Sequence, residues 1–210
     1  MHREQQIKRM RAKIIESAIQ EFNENGYEMA SLNKVCCSAG ISKGIIYHYF
    51  KDKDELYLAC VAECYQAMCA CYYEHEADIL AAGRMEAFMR LRMEFFKTYP
   101  RLRGLFFHSL LRTPVRLKKE VEHLRTELDG LNHLVYQNYL NRHTLRKSIT
   151  EAEAMEYFEL MQDAYNDRFR RDLENEIDLE EAIQRHEQKI PKLIGMMMYG
   201  VIEEESKCLK

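Results

Sequence analysis

The amino-acid sequence predicts an all-α fold, and three observations support this prediction. The 210 residues include only three prolines and eight glycines, so few positions interrupt regular structure. Apolar residues recur at steps of three and four along most of the chain, which is the period of a helix with one buried face. Thr or Asp also precedes several of these stretches with Glu three residues later, a pair that begins helices.

Charge and cysteine content restrict the class of protein. Residues 1–53 carry nine Lys and Arg against six Asp and Glu, whereas residues 151–181 carry three Arg against twelve acids. A basic N-terminal region followed by an acidic one suits a chain whose first part meets phosphates. Seven Cys without a secretory signal indicate a reducing, cytoplasmic location. No apolar run approaches the ~18 residues of a membrane span, so we expect no membrane partner.

The first predicted helix runs from about Gln5 to Asn25. It carries one apolar stripe, formed by Ile7, Met10, Ile14, Ala18 and Phe22. Asn25 and Gly26 should end this helix through a left-handed residue.

Residues 31–50 predict two short helices joined by a tight turn. Ser31 and Ser42 stand at the two N-cap positions, where a hydroxyl accepts bonds from a first helical turn. Gly40 follows the first helix and can adopt the left-handed conformation without steric cost. The second helix begins at Lys43 and exposes one face. A helix, a short turn containing Gly and a second helix is the helix-turn-helix arrangement of DNA-reading domains.

The remaining chain divides into further helices at recognisable signals. Asp52 with Glu55 should cap a helix that continues to about His75. The pattern breaks near Gly83, and Pro100 and Pro114 mark later helix starts. The predicted helices are residues 85–98, 100–110, 117–141, a helix behind the Thr150–Glu153 pair, and a last helix behind Asp178–Glu181 that Pro191 should kink or restart.

The stretch from Gly26 to Leu56 resembles the N-terminal DNA-binding domain of the TetR family of bacterial transcriptional regulators. The matching positions are Gly26, Tyr27, Ser31, Val35, Ala39, Gly40, Ile41, Ser42, Tyr47, Phe50, Lys53 and Leu56. Two positions depart from the family pattern, since Cys36 replaces a usual Ala and Lys34 a common acid. The resemblance implies a homodimer that binds double-stranded operator DNA and responds to a small-molecule effector.

On this basis we expect an N-terminal three-helix helix-turn-helix domain in residues 1–53 and a C-terminal helical ligand-binding and dimerisation domain in residues 54–210. The last two predicted helices resemble the pair that forms the family's four-helix dimer interface; the alternative is that their apolar stripes face only the monomer core. The expected DNA-binding residues are Ser31, Lys34, Ser42, Lys43, Gly44, Ile45, Tyr47, His48 and Lys53. In this set, phosphate contacts position the protein and base contacts specify the sequence.

The second domain should hold the effector. Its candidate lining residues are aromatic side chains, Met and two His, namely Phe95, Phe96, Phe106, Phe107, His108, His133, Tyr136 and Met161. Aromatic residues at helical spacing more often form a hydrophobic core than a ligand pocket, so core packing is the alternative interpretation of these residues.

Two other readings remain open at the level of sequence. Cys60 and Cys64 lie four residues apart on one helix, so a metal- or thiol-sensing regulator on the same scaffold is an alternative. A helical small-molecule-binding protein that no longer reads DNA is another. We expect no cofactor. We also expect no enzyme activity, because no GxSxG, P-loop or GxGxxG pattern occurs. The expected function is a ligand-responsive, DNA-binding transcriptional regulator, and the family resemblance implies a repressor that a small molecule releases from its operator.

Overall fold

A computed structural model describes residues 2–82, 85–174 and 178–201. These residues form ten α-helices and one short 3-10 turn, which confirms the predicted all-α class. The α-helices are α1 (His2–Met29), α2 (Leu32–Ala39), α3 (Lys43–Tyr49), α4 (Lys53–Glu74), α5 (Glu76–Ala82), α6 (Met85–Thr98), α7 (Pro100–Leu111), α8 (Lys118–Leu140), α9 (Glu151–Glu174) and α10 (Leu179–Val201). The 3-10 turn, Val115–Leu117, precedes α8.

The predicted stop at Gly26 occurs, although the backbone conformation there differs from the expected left-handed cap. Gly26 has φ 64° and ψ −175°, which interrupts helical geometry within α1. A side chain at this position would also meet the ring of His108 at 3.0 Å. Glycine is therefore required here both by the backbone angle and by close packing.

Helix starts follow the predicted capping pairs closely. Asp52 Oδ1 accepts the Glu55 N–H at 2.9 Å, and Glu55 Oε2 accepts the Lys51 N–H at 2.7 Å. Thr150 and Glu153 form the reciprocal pair at the start of α9. Of the two outcomes expected at Pro191, the restart does not occur, because α10 continues through this residue as one helix, and the kink stays a prediction.

The helices pack as two compact units. Among the described residues, the first contains 2–70 and 95–128, and the second contains 71–94 and 129–201. In the first unit, Ile14, Ala18 and Phe22 of the predicted α1 stripe are fully buried, whereas Ile7 is 44% exposed. The functional boundary expected after residue 53 stays a prediction, since packing groups helices by their contacts alone.

In the second unit, α9 and α10 pack against each other. Buried apolar side chains on α10 line its inner face, among them Ile183, Ile190 and Met197. None of the described helices is long and apolar enough to cross a membrane.

Candidate nucleic-acid interface

Helices α2 and α3 are joined by the tight turn that the sequence predicts. Gly40 adopts the left-handed conformation, with φ 61° and ψ 41°. Its N–H donates to the Cys37 carbonyl at 3.1 Å, and the Ile41 N–H donates to the Cys36 carbonyl at 3.0 Å. These two bonds satisfy carbonyls at the end of α2 and redirect the chain into α3.

Helix α3 turns one face inward and the other outward. Ile46 is fully buried and Phe50, just beyond the helix, is 1% exposed, so both belong to the core. Lys43, Gly44, Tyr47 and His48 are exposed, and Ile45 is 37% exposed. The expected outward residues therefore share one surface, available to a partner.

Gly44 lies on this surface, and neither packing within the protein nor its backbone angle requires a glycine there. A Cβ built at Gly44 would come no closer than 4.0 Å to another atom, the Ser42 Oγ. Its backbone φ also lies outside the left-handed region that favours glycine. The fold therefore does not require glycine here, in contrast to Gly26, and a close approach by an external partner is a physical reason for it.

The expected side-chain caps at Ser31 and Ser42 are wrong. Both residues occupy N-cap positions with extended backbones, but neither hydroxyl bonds to the helix that follows. At Ser31 the backbone N–H is instead bound by the carboxylate of buried Glu21 at 2.9 Å. Glu21 lies ten residues earlier, so its role could not be read from the local pattern.

The lysines expected to contact DNA do not all point towards solvent. The Lys34 ammonium is exposed and lies 4.0 Å from the Glu21 carboxylate. The Lys53 ammonium instead packs 4.7 Å from the centre of the Tyr27 ring and donates to the Glu28 carbonyl at 3.2 Å. Burial lowers the pKa of Lys53. Lys43 and Lys34 therefore present charge to solvent, whereas Lys53 is held against the protein.

Four of the expected effector residues pack against each other in the first unit. The rings of Phe96 and Phe106 are 5.2 Å apart, and those of Phe95 and Phe96 are 5.6 Å apart. Phe107 is fully buried beside Phe106. In this structure these side chains fill the interior of a helical core.

His108 is a fifth member of that set and is also buried. It is bonded to the backbone of Asn23, its Nδ1 has no partner among the described residues, and its ring lies against Gly26. Burial lowers its pKa to about 4, and nearby Arg112 acts in the same direction. His108 is therefore neutral at physiological pH and supports the end of α1.

The other three expected effector residues lie in the second unit. His133 is exposed, with its Nδ1 3.5 Å from the Glu159 carboxylate. Tyr136 is buried and stacks on Phe158 at 4.1 Å. Met161 lines a cavity of about 400 Å³ between α9 and α10. The eight residues thus fall into both packing units, and their shared role stays a prediction.

The cavity beside Met161 combines aromatic and basic side chains. Tyr165 and Phe169 stack on the buried ring of His186, at 4.7 and 4.4 Å. The charged residues that line the cavity are Arg168, Arg185, Lys189 and Asp172. Sequence reasoning missed this basic group, since it joins residues from two helices.

The cysteine alternative receives no support from the geometry. The Cys60 and Cys64 thiols are buried and donate to the carbonyls of Ile15 and Leu102, at 3.8 and 3.4 Å. Burial raises the pKa of both thiols, whereas metal binding and redox exchange require the thiolate. Across the described ranges, no three His, Cys, Asp or Glu side chains converge as metal ligands. Among the described cysteines, Cys37 on α2 is the exposed one.

Comparisons with known proteins bear on the same segment. A sequence model described as bacterial regulatory proteins, tetR family, matches residues 14–60. The chain is 24% identical over 123 residues to the HTH-type transcriptional regulator RutR of Escherichia coli O157:H7, covering 58% of each protein. It is 33% identical over 92 residues to the HTH-type transcriptional repressor AcnR of Corynebacterium diphtheriae, covering 41% of this chain and 48% of AcnR. The chain thus aligns with about half the length of these curated relatives.

Solved structures share the fold over most of the chain. FadR from Bacillus subtilis in complex with stearoyl-CoA superposes with a TM-score of 0.61 at 16% identity, covering 90% of this chain and 98% of FadR. A structure described as the molecular basis for control of antibiotic production by bacterial hormones superposes with a TM-score of 0.62 at 20% identity, covering 93% and 98%. At these identities the likeness concerns the fold alone.

Proposed function

We propose that this chain is a ligand-responsive, DNA-binding transcriptional repressor of the TetR family, whose sequence model matches residues 14–60. The observation that carries the proposal is the outward face of α3, where Lys43, Tyr47 and His48 surround a glycine that packing does not require. A short helix with such a face can enter a major groove. A protein that reads bacterial genomic DNA works in the cytoplasm, which is the location that we propose.

The first test is sequence-selective DNA binding by the purified chain. Selection from bacterial genomic fragments should enrich a near-palindromic site, and gel shifts should then give its affinity. Tyr47→Ala and Lys43→Ala should each abolish tight binding while the fold is retained. Tyr73→Ala and Lys147→Ala are matched controls, because both side chains are exposed but lie outside the helix-turn-helix. Failure of the wild-type chain to enrich any sequence would rule out the proposal.

We further propose that the functional unit is a homodimer formed through α9 and α10. Four large apolar side chains are exposed there, Tyr157 and Leu160 on α9 and Met196 and Tyr199 on α10, between 41% and 66%. Exposed apolar patches mark interaction surfaces, and paired half-sites require two recognition helices. Leu160→Arg should produce a monomer in light scattering, whereas Gln162→Arg on the same helix should leave a dimer. A wild-type monomer would refute this part.

For the effector, we propose a small anionic molecule with an apolar part. The cavity beside Met161 is within the usual size of ligand sites and carries three basic side chains against one acid. Stearate, an anion with an apolar chain that a cavity of this size can hold, is a suitable first probe, because it is the acyl part of the stearoyl-CoA in the FadR complex. It should raise the melting temperature of the wild-type chain but not of Arg168→Ala, and it should release operator DNA. Equal shifts in both proteins would place binding elsewhere.

A further inference from the structure

Arg116 joins three segments of the first unit that are distant in sequence. It lies in the 3-10 turn between α7 and α8. Its Nε and Nη2 donate to the two carboxylate oxygens of Asp54, at 3.0 and 2.9 Å. Nη2 also donates to the Tyr27 hydroxyl at 2.5 Å. This fork-to-fork pairing is the geometry in which an Arg–carboxylate contact is strongest and most directional.

The two partners of Arg116 flank the helix-turn-helix. Tyr27 directly follows Gly26 and precedes α2, whereas Asp54 lies in the first turn of α4. The chain therefore enters and leaves the segment of α2 and α3 beside the same guanidinium. The Tyr27 hydroxyl also donates to Asp54, which closes a three-membered network.

The network is anchored in the core and stays charged at physiological pH. The Tyr27 ring is 7% exposed and packs edge-on against Tyr57 at 5.2 Å. Burial, together with Asp54, raises the pKa of Tyr27 to about 12. The bond from Arg116 lowers the pKa of Asp54 below its usual range. The network therefore stays charged over physiological pH, and a change of pH within that range does not open it.

We propose that Arg116 is a positioning residue for DNA reading, which holds both ends of the helix-turn-helix and so fixes the orientation of α3. This inference rests on the proposed DNA-binding function. Movement of the turn Val115–Leu117 would then release both ends together. The competing explanation is a direct bond from Arg116 to a DNA phosphate, since its side chain is 56% exposed.

The variant Asp54→Asn separates the two explanations by the sign of its effect. Removing an acid strengthens the general attraction of a protein to phosphates, and it also frees Arg116 for a phosphate. A direct phosphate contact therefore predicts equal or tighter operator binding by this variant. The positioning role predicts weaker binding, by about three- to tenfold, because the bidentate pair is lost. Glu28→Gln is the matched control, an acid-to-amide change at a neighbouring exposed residue, and should not weaken binding.

A double-variant comparison completes the binding test. Arg116→Ala should weaken operator binding by a factor similar to that of Asp54→Asn, and the double variant should be no weaker than either. Arg116→Lys, which keeps the charge but not the fork, should recover binding only in part. Arg112→Ala, an exposed arginine in the same connection, should have no effect. Additive losses, or unchanged binding by Asp54→Asn, would overturn the proposal.

Amide hydrogen exchange tests the positioning role without DNA. Both Asp54→Asn and Arg116→Ala should exchange faster at the amides of residues 32–49, whereas Arg112→Ala and Glu28→Gln should match the wild type. Unchanged exchange in this segment would contradict positioning even if DNA binding were altered. If the wild-type chain binds no DNA, the proposed function fails, and the exchange result alone decides whether Arg116 holds the segment.

Discussion

Two aromatic regions of the molecule look alike in sequence but differ in structure. In residues 45–50, Tyr47 points outward and Phe50 inward, on a short segment whose turns are set by local bonds. In residues 95–107, Phe95 and Phe107 are both buried and each packs against buried Phe96. An aromatic residue therefore has a functional meaning only after its exposure is known, and exposure depends on long-range packing.

The strongest test of this difference between the two regions is to truncate one aromatic side chain in each. Phe107→Ala should lower the free energy of unfolding by about 3–5 kcal/mol, because it leaves a cavity in a packed core. Tyr47→Ala should leave that free energy nearly unchanged. Chemical denaturation measures both. A small loss for Phe107→Ala would instead indicate that its surroundings are a pocket able to adapt.

The pH dependence of stability tests the buried state of His108. Its pKa is about 4 in the folded chain and about 6.5 in an unfolded one, so the unfolded state binds more protons between these values. Stability should therefore fall as the pH is lowered from 7 towards 4, with a contribution from His108 of up to about 3 kcal/mol.

Burial also lowers the pKa of His186, so this residue contributes to the pH dependence as well. The variant His108→Gln separates the contribution of His108 from that of His186. The variant should show a shallower loss of stability between pH 7 and 5, measured by denaturation at each pH. Equal slopes for the variant and the wild type would show that His108 titrates normally and is not held in the core.

Gly26 and Gly44 extend this comparison, because replacing each with alanine should change the stability of the fold in opposite directions. Gly26→Ala should lower the free energy of unfolding by about 1–3 kcal/mol, since its φ is strained for alanine and the new Cβ meets His108. The melting temperature should fall accordingly. An unchanged melting temperature would mean that the backbone relaxes at this position.

Gly44→Ala should have the smallest effect on stability and a favourable one. Alanine is the better helix former, and no atom lies in its way, so the gain is at most about 1 kcal/mol. Operator binding should nevertheless weaken, because the added methyl group faces the partner. A variant that is more stable and binds DNA equally well would remove the reason for glycine that we infer here.

The sequence predicted those features that depend on nearby residues. Gly40, the Asp52–Glu55 pair and the bounds of α6 follow from caps, turns and periodicity within a few positions. Features that join distant residues could not be predicted. Glu21 takes the N–H of Ser31, and Arg116 joins positions 62 and 89 residues away. The expected effector residues are also distant in sequence and fall into both packing units, and their shared role stays a prediction.

The exposed thiol of Cys37 offers a practical consequence. It lies on α2, beside the surface proposed to meet DNA, while Cys36, Cys60, Cys64 and Cys69 are buried. With Cys71 and Cys208 replaced by Ser, a maleimide dye should attach at this one place. Its fluorescence would then record, in real time, how quickly the protein docks on a labelled duplex and leaves it when an inducer is added.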